Sequence, residues 1–346
     1  MREAFLRVGT RTVASLVFLL LVAGALVTST ESGLAVPDWP LSYGKVMPPM
    51  VGGILYEHGH RLIAAAVSTL VGLEFGGIFF FLEGKEKEKR RIKILAGAAF
   101  GAILLQALLG GLTVLLLLPP AISSAHAALA EIVFALTAVV ALMCSRTWTT
   151  LTKTEAVSPL PFSEDPSSPS SSSLPLPLEV NIRISSKGEE TDSAFRWVAI
   201  ATAATYIQIV LGAVMRHTGA GLAIPDFPAM FGGLLPSAAD LERPGVPIHL
   251  AHRLGAVVVV LLVFRAAKSL SDLPVPLLAA FGPAWTGLVC LQALLGAVSI
   301  WSRKAIPLTV AHLAVGALCW VTGILALVCL GACRNSRNAL SSASRA

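Results

Sequence analysis

Four of the seven histidines in this chain fall into two equivalent pairs. His60 lies in HGHRL at 58–62 and His252 in LAHRL at 250–254; His126 lies in SSAHAAL and His312 in TVAHLAV. The loops GLAVPDWP (33–40) and GLAIPDFP (221–228) repeat as well, and so do LQALLGG (105–111) and LQALLGA (291–297). All these matches recur after 186 to 192 residues, so the chain reads as a duplication in register. A single histidine in an apolar helix is more often a hydrogen-bonded core residue. Two per half, repeated, point instead to a pair of similar ligand sites, and paired neutral imidazoles in an apolar helical bundle suit the two axial positions of a haem iron.

The acidic residues break the repeat. Glu57, His60 and Arg61 are three and four residues apart, so they share one helical face. An ionisable residue inside a membrane segment is a functional candidate by default, although a helix-start cluster with Glu57 paired to Arg61 in interfacial water explains the same residues. In the second half, His249 stands where Glu57 stands in the first. A carboxylate beside a histidine-lined pocket can move a proton or stabilise developing positive charge. This asymmetry suggests that one half does chemistry and the other holds a permanent cofactor, with Glu57 favouring the first half for chemistry. Arg216 has no counterpart and could meet a haem propionate or anchor its helix at the membrane surface. Asp38 and Asp226 should fix their loops as lids over a haem edge, or as rigid interfacial turns. Gln106 and Gln292 are expected to hydrogen-bond between helices. Glu74 and Glu131 lie in apolar runs, where pairing with other polar groups is expected.

The elements that position these residues must be membrane helices. The chain is 55% hydrophobic and 13% charged with mean hydropathy +0.76, against roughly 25% charged in a soluble domain. Eight apolar stretches of about 20 residues, the length that spans a bilayer, fall near 11–30, 58–82, 93–115, 121–144, 195–215, 248–270, 275–300 and 306–332. The expected fold is therefore an all-α integral membrane protein, with eight transmembrane helices as two pseudo-symmetric four-helix bundles. Residues 1–144 form one half and 195–332 the other. A Pro/Ser-rich linker at 145–194 (disordered over 155–194) and a tail at 333–346 lie on the cytoplasmic side. The N-terminus, the 83–93 and 265–274 loops, the linker and the tail, with their immediate flanks, hold 19 of the 26 basic residues. That places both termini in the cytoplasm and makes the charge of +6 an orientation signal, not a sign of nucleic-acid binding. The first helix reads as retained, and the lack of an Arg- and Ser-rich presequence favours a bacterial plasma membrane. None of the five cysteines lies in an outer loop, and no C-x-x-C or C-x-x-C-H occurs, which argues against a thiolate zinc site and covalent haem attachment.

The loop TSTESGLAVPDWPLSYGKVMPP, the EHGHR motif at 57–61, the duplicated four-helix unit and one histidine in each of the fourth and eighth helices resemble the haem A synthase family. The resemblance covers about 11–144 and 195–332. It implies oxidation of the C8 methyl of haem O to a formyl group, by successive hydroxylations and loss of water, to give haem A for terminal oxidases. It implies that His252 and His312 ligate haem b, that His60 and His126 face the substrate haem, and that Glu57 is the acid needed for turnover. Implied partners are a haem O synthase and an electron-transfer protein; a homo-oligomer is compatible with the sequence. The outer-loop cysteine pair of many members is missing, and the linker is unusual. The main alternative is a diheme b-type electron carrier; a transporter and a haem-farnesylating enzyme fit less well, because no helix is broken at mid-membrane and no Asp-rich motif is present.

Overall fold

The computed structural model describes residues 2–154 and 178–343, and these are all-helical apart from two isolated bridges, Ser42 with Lys45 and Met230 with Gly233. In chain order the helices are α1 (Arg2–Ser29), α2 (Gly53–Phe81), α3 (Glu86–Leu115), α4 (Pro120–Met143), α5 (Arg146–Thr154), α6 (Leu178–His217), α7 (Ala238–Leu241), α8 (Val246–Ser271), α9 (Pro276–Trp301) and α10 (Ile306–Ala343). Eight of them, all but α5 and α7, are long and apolar enough to cross a membrane. Large apolar side chains such as Leu73, Phe80, Leu104, Val257 and Leu261 face outward. A water-facing helix would carry polar residues there; a lipid-facing one must satisfy its backbone internally and show hydrocarbon, as these do. The protein is a multi-pass membrane protein.

Proline sets several helix starts. Pro120 and Pro276 open α4 and α9, and α8 also carries proline in its first two positions; there the missing N–H costs nothing. Helix α1 packs on α2, α2 on α3, α3 on α4, and α4 back on α1. The same circuit runs through α6, α8, α9 and α10. Contacts of α1 with α10, and of α4 with α6 and α10, join the two sets. Helices α4 and α10 are the most enclosed, with 50% of their apolar windows buried against 17–28% in the other six. At this seam the Tyr206 and Trp320 rings lie 4.8 Å apart, and the Tyr206 hydroxyl donates to the Ala128 carbonyl at 3.2 Å.

Two expected loops are partly helical. The charged run at 86–93 belongs to α3: Glu86 and Glu88 occupy its first turn, where acids favour the helix dipole, Lys89 pairs with Glu86, and the Trp148 indole N–H donates to Glu88. The expected 145–194 linker begins with α5, which buries Trp148 and Leu151 and packs on α10, and it ends inside α6, where Ala194 is fully buried. Apolar residues at helical spacing give these stretches a face to bury. Residues 155–177 of that linker lie outside the described residues. The eighth span continues as helix through Ala343, into the segment expected as a tail.

Candidate functional site

At the start of α2 and of α8, one residue and the arginine four positions later clamp a preceding loop. Glu57 is 4% exposed. One of its carboxylate oxygens accepts from the Val36 N–H at 2.7 Å, and the other pairs with Arg61. The Arg61 guanidinium also donates to the carbonyls of Asp38 (2.7 Å), Leu41 (3.0 Å) and Val36 (3.1 Å). In the second half, His249 Nδ1 accepts from the Ile224 N–H at 3.1 Å and His249 Nε2 lies 3.2 Å from Arg253 Nε. Arg253 donates to the carbonyls of Ile224 (2.9 Å), Asp226 (2.8 Å) and Ala229 (3.1 Å). A carboxylate accepts both contacts at once; a neutral imidazole has one acceptor nitrogen and satisfies one of them at a time. The first-half clamp is therefore the stronger.

Within the loops, Asp38 accepts from the N–H groups of Tyr43 (2.6 Å) and Gly44 (2.8 Å), and Asp226 from those of Phe231 (2.9 Å) and Gly232 (2.8 Å). The Gly44 N–H, then that of Tyr43, holds the Asp38 carboxyl below its ordinary value, and Gly232 and Phe231 do the same for Asp226. Both aspartates thus fix their loops, as expected. Trp39 lies on α3 at Gly111, where a Cβ would stand 2.7 Å from the indole. The corresponding residues in the second half are the smaller ring of Phe227 and the larger Ala297.

The four candidate ligands lie within the helices α2, α4, α8 and α10. His60 and His126 are electrostatic neighbours on α2 and α4, and His252 and His312 on α8 and α10. Each ring rests on a glycine of another helix: a Cβ at Gly24, Gly110, Gly212 or Gly296 would come within 2.9–3.2 Å of the Cε1 of His60, His126, His252 or His312 respectively. Nδ1 of His60 and of His126 is buried with no partner. Gln106 donates to the His126 carbonyl at 2.9 Å, and its amide nitrogen lies 3.3 Å from the ring; that of Gln292 lies 3.4 Å from the His312 ring. Both glutamines thus act between helices as expected. Gln208, which was not singled out from the sequence, donates to the His252 carbonyl at 2.7 Å with the ring Nδ1 3.0 Å away.

The remaining candidates are dispersed. Arg216 donates to the Ala25 carbonyl (2.9 Å) and the Ser29 hydroxyl (2.7 Å) of α1, so it ties the two halves together, and it lies within electrostatic range of His312. His58 is buried and bonded to the Ser42 hydroxyl at 2.7 Å. Glu74 and Glu131 each keep one buried carboxylate oxygen without a partner, so the expected pairing does not occur at those atoms.

Among the described residues, no three His, Cys, Asp or Glu side chains converge as a metal-ion site. The donors come in imidazole pairs with glycine-lined surroundings, and in the first pair Nδ1 of each ring is buried with no partner. That fits a metal carried in a planar organic ring, which needs from the protein only axial donors and apolar walls.

Comparison with known proteins agrees. A family model described as cytochrome oxidase assembly protein, COX15-CtaA, matches residues 174–324. The chain is 29% identical over 252 residues to the haem A synthase of Symbiobacterium thermophilum, covering 72% of this chain and 71% of the relative. It is 26% identical over 298 residues to that of Bacillus pumilus, covering 85% of each. The haem A synthase of Bradyrhizobium diazoefficiens is 25% identical over 352 residues, covering 88% of this chain and 85% of the relative. Over most of its length the chain is therefore similar to haem A synthases. The two clamped loops and the four glycine-seated histidines are features of this chain's own structure.

Sequence reasoning passed over the glycine seats, Gln208 and the loop-clamping role of Arg61 and Arg253. A signal for the first two was present. Gln-x-x-x-Gly occurs at 106–110, 208–212 and 292–296, a spacing that puts both residues on one helical face.

Proposed function

We propose that this protein is an oxidoreductase that converts haem O to haem A, oxidising the C8 methyl of the porphyrin to a formyl group. The observation that carries the reading is the doubled imidazole pair, each ring seated on a glycine of a neighbouring helix. The relatives' names support it. The chain is read as two pseudo-symmetric four-helix bundles, supported by the two matching packing circuits. The substrate haem is assigned to His60 and His126, and a resident haem b to His252 and His312. When bound, haem b supplies one-electron redox capacity beside the substrate site.

The chain's own residues then have separable tasks. His60 and His126 hold and orient the substrate. Arg61 draws the 36–41 carbonyls onto α2, and Trp39 packs on α3, so the loop excludes water from the site. Glu57, three residues from His60, provides a fixed negative charge on the same helical face to offset positive charge developing near the methyl carbon. His249 provides the clamp without that charge, which suits a half that only retains its cofactor. Arg216 joins the halves and lies near the second-half ligands, where it is assigned to a haem propionate. The distribution of basic residues supports a cytoplasmic location for both termini, with the loops on the outer side of a bacterial plasma membrane. Haem O arrives from a haem O synthase or the surrounding lipid, and electrons are exchanged with a separate electron-transfer partner.

The test is co-expression with a haem O synthase, followed by haem extraction and mass analysis of the purified protein. Haem A together with haem b supports the reading. Two equivalents of haem b and no haem A would point to a diheme electron carrier.

A further inference from the structure

The four histidine seats are not identical. Three combine a glycine with a glutamine one turn earlier on the same helix: Gln106 with Gly110, Gln208 with Gly212, and Gln292 with Gly296. In each of these the glutamine amide nitrogen lies 3.0–3.4 Å from a ring nitrogen of the facing histidine. The Gln292 carbonyl lies a further 3.2 Å from His312 Nδ1. The fourth seat keeps Gly24, against which His60 packs, but the position one turn earlier is Leu20. Nδ1 is buried with no partner in both His60 and His126, but only the His126 ring has a glutamine amide beside it, at 3.3 Å from Nε2. The glycine gives the imidazole room, and the glutamine fixes the ring and its approach. A ligand lacking that second contact has more rotational freedom and loses less on leaving the metal.

We infer that His60 is the exchangeable haem ligand of this protein, and that Gln106, Gln208 and Gln292 are positioning residues that hold the other three imidazoles in place. This rests on the proposed assignment of haems to the two histidine pairs. It accounts for an asymmetry in which the half that takes in and releases haem has one loosely held ligand, while the half that keeps its haem has none.

The experiment adds and removes the glutamine. Carbon monoxide binds ferrous haem only where an axial ligand can leave. The haem bearing a formyl group absorbs further to the red than haem b, so the two are read separately in one purified sample. In the wild type, the first-half haem takes up carbon monoxide and haem b does not. Leu20→Gln reduces uptake by the first-half haem several-fold, whereas Leu20→Met leaves it unchanged. Gln208→Leu makes haem b reactive. Gly101→Ala and Gly287→Ala, where a Cβ meets nothing within 4 Å, leave both spectra unchanged and control for helix substitutions as such.

Equal reactivity of wild type and Leu20→Gln, or an unreactive haem b in Gln208→Leu, overturns the inference. If Leu20→Gln does not accumulate, Gln208→Leu decides alone. A protein that makes haem A and shows either of those results refutes only the ligand assignment; a protein that carries no haem A refutes the proposed function itself.

Discussion

Glu57 and His249 hold the same place in two equivalent clamps: Glu57 accepts from the Val36 N–H at 2.7 Å, and His249 from the Ile224 N–H at 3.1 Å. The loop contact of Glu57 can therefore be supplied by an imidazole, whereas its charge and its simultaneous pairing with Arg61 cannot. Glu57→His separates the two. We expect the 35–44 loop to remain protected in hydrogen exchange while haem A formation falls on the order of 100-fold, the usual cost of removing one electrostatic stabiliser. Undiminished activity would reduce Glu57 to a clamp.

Trp39 and Gly111 form a size-matched pair. Gly111→Ala places a methyl 2.7 Å from the indole and should destabilise the folded protein by about 1–3 kcal/mol, as overpacking does. Adding Trp39→Phe reproduces the second-half combination of Phe227 and Ala297 and should recover most of that loss. A double-mutant cycle of thermal unfolding in detergent measures the coupling; additive effects would mean that the two residues do not share the space.

The loop aspartates set an acid limit. Backbone N–H groups, Gly44 foremost for Asp38 and Gly232 for Asp226, lower both carboxyls. A carboxyl whose folded value lies below its unfolded one stabilises the loop fully above about pH 4, the ordinary carboxylate value. That contribution is lost as pH falls through the lower, folded value. Hydrogen exchange of the Tyr43 and Gly44 amides should thus stay protected at pH 4 and open on further acidification. In Asp38→Asn the same amides should be less protected at neutral pH, with no acid transition of their own.

Arg216 joins helices that belong to different halves. Arg216→Met removes donors to the Ala25 carbonyl and the Ser29 hydroxyl, and should cost roughly 1.5–3 kcal/mol, as for hydrogen bonds from a charged group. Thermal unfolding checks this. An unchanged midpoint would show that the contact with α1 contributes nothing.

The parts of this arrangement legible in the sequence were those written as period and repetition. Apolar length revealed all eight spans, and the recurrence of His60 as His252 and His126 as His312 revealed the two histidine pairs. Charge misled at 86–93, because Glu86 and Lys89 pair along a helix and Trp148, distant in sequence, donates its indole N–H to Glu88. Composition misled at both ends of the linker, where Trp148, Leu151 and Ala194 find buried positions. The function of Arg61 and Arg253 depends on loop carbonyls more than 19 residues away, and no local pattern predicts such a contact. Gln208 was readable only by comparison with Gln106 and Gln292, since its neighbours TYIQIVLG share with LQALLG only the glutamine and the closing leucine and glycine.

The central claim is the division of labour between the two histidine pairs. It is tested most directly by haem extraction from four single variants, His60→Ala, His126→Ala, His252→Ala and His312→Ala, each co-expressed with a haem O synthase. The account predicts that the first two keep haem b and form no haem A, whereas the last two lose haem b. Equal loss of the same haem from all four, or haem A formed undiminished in His60→Ala and His126→Ala, would contradict it.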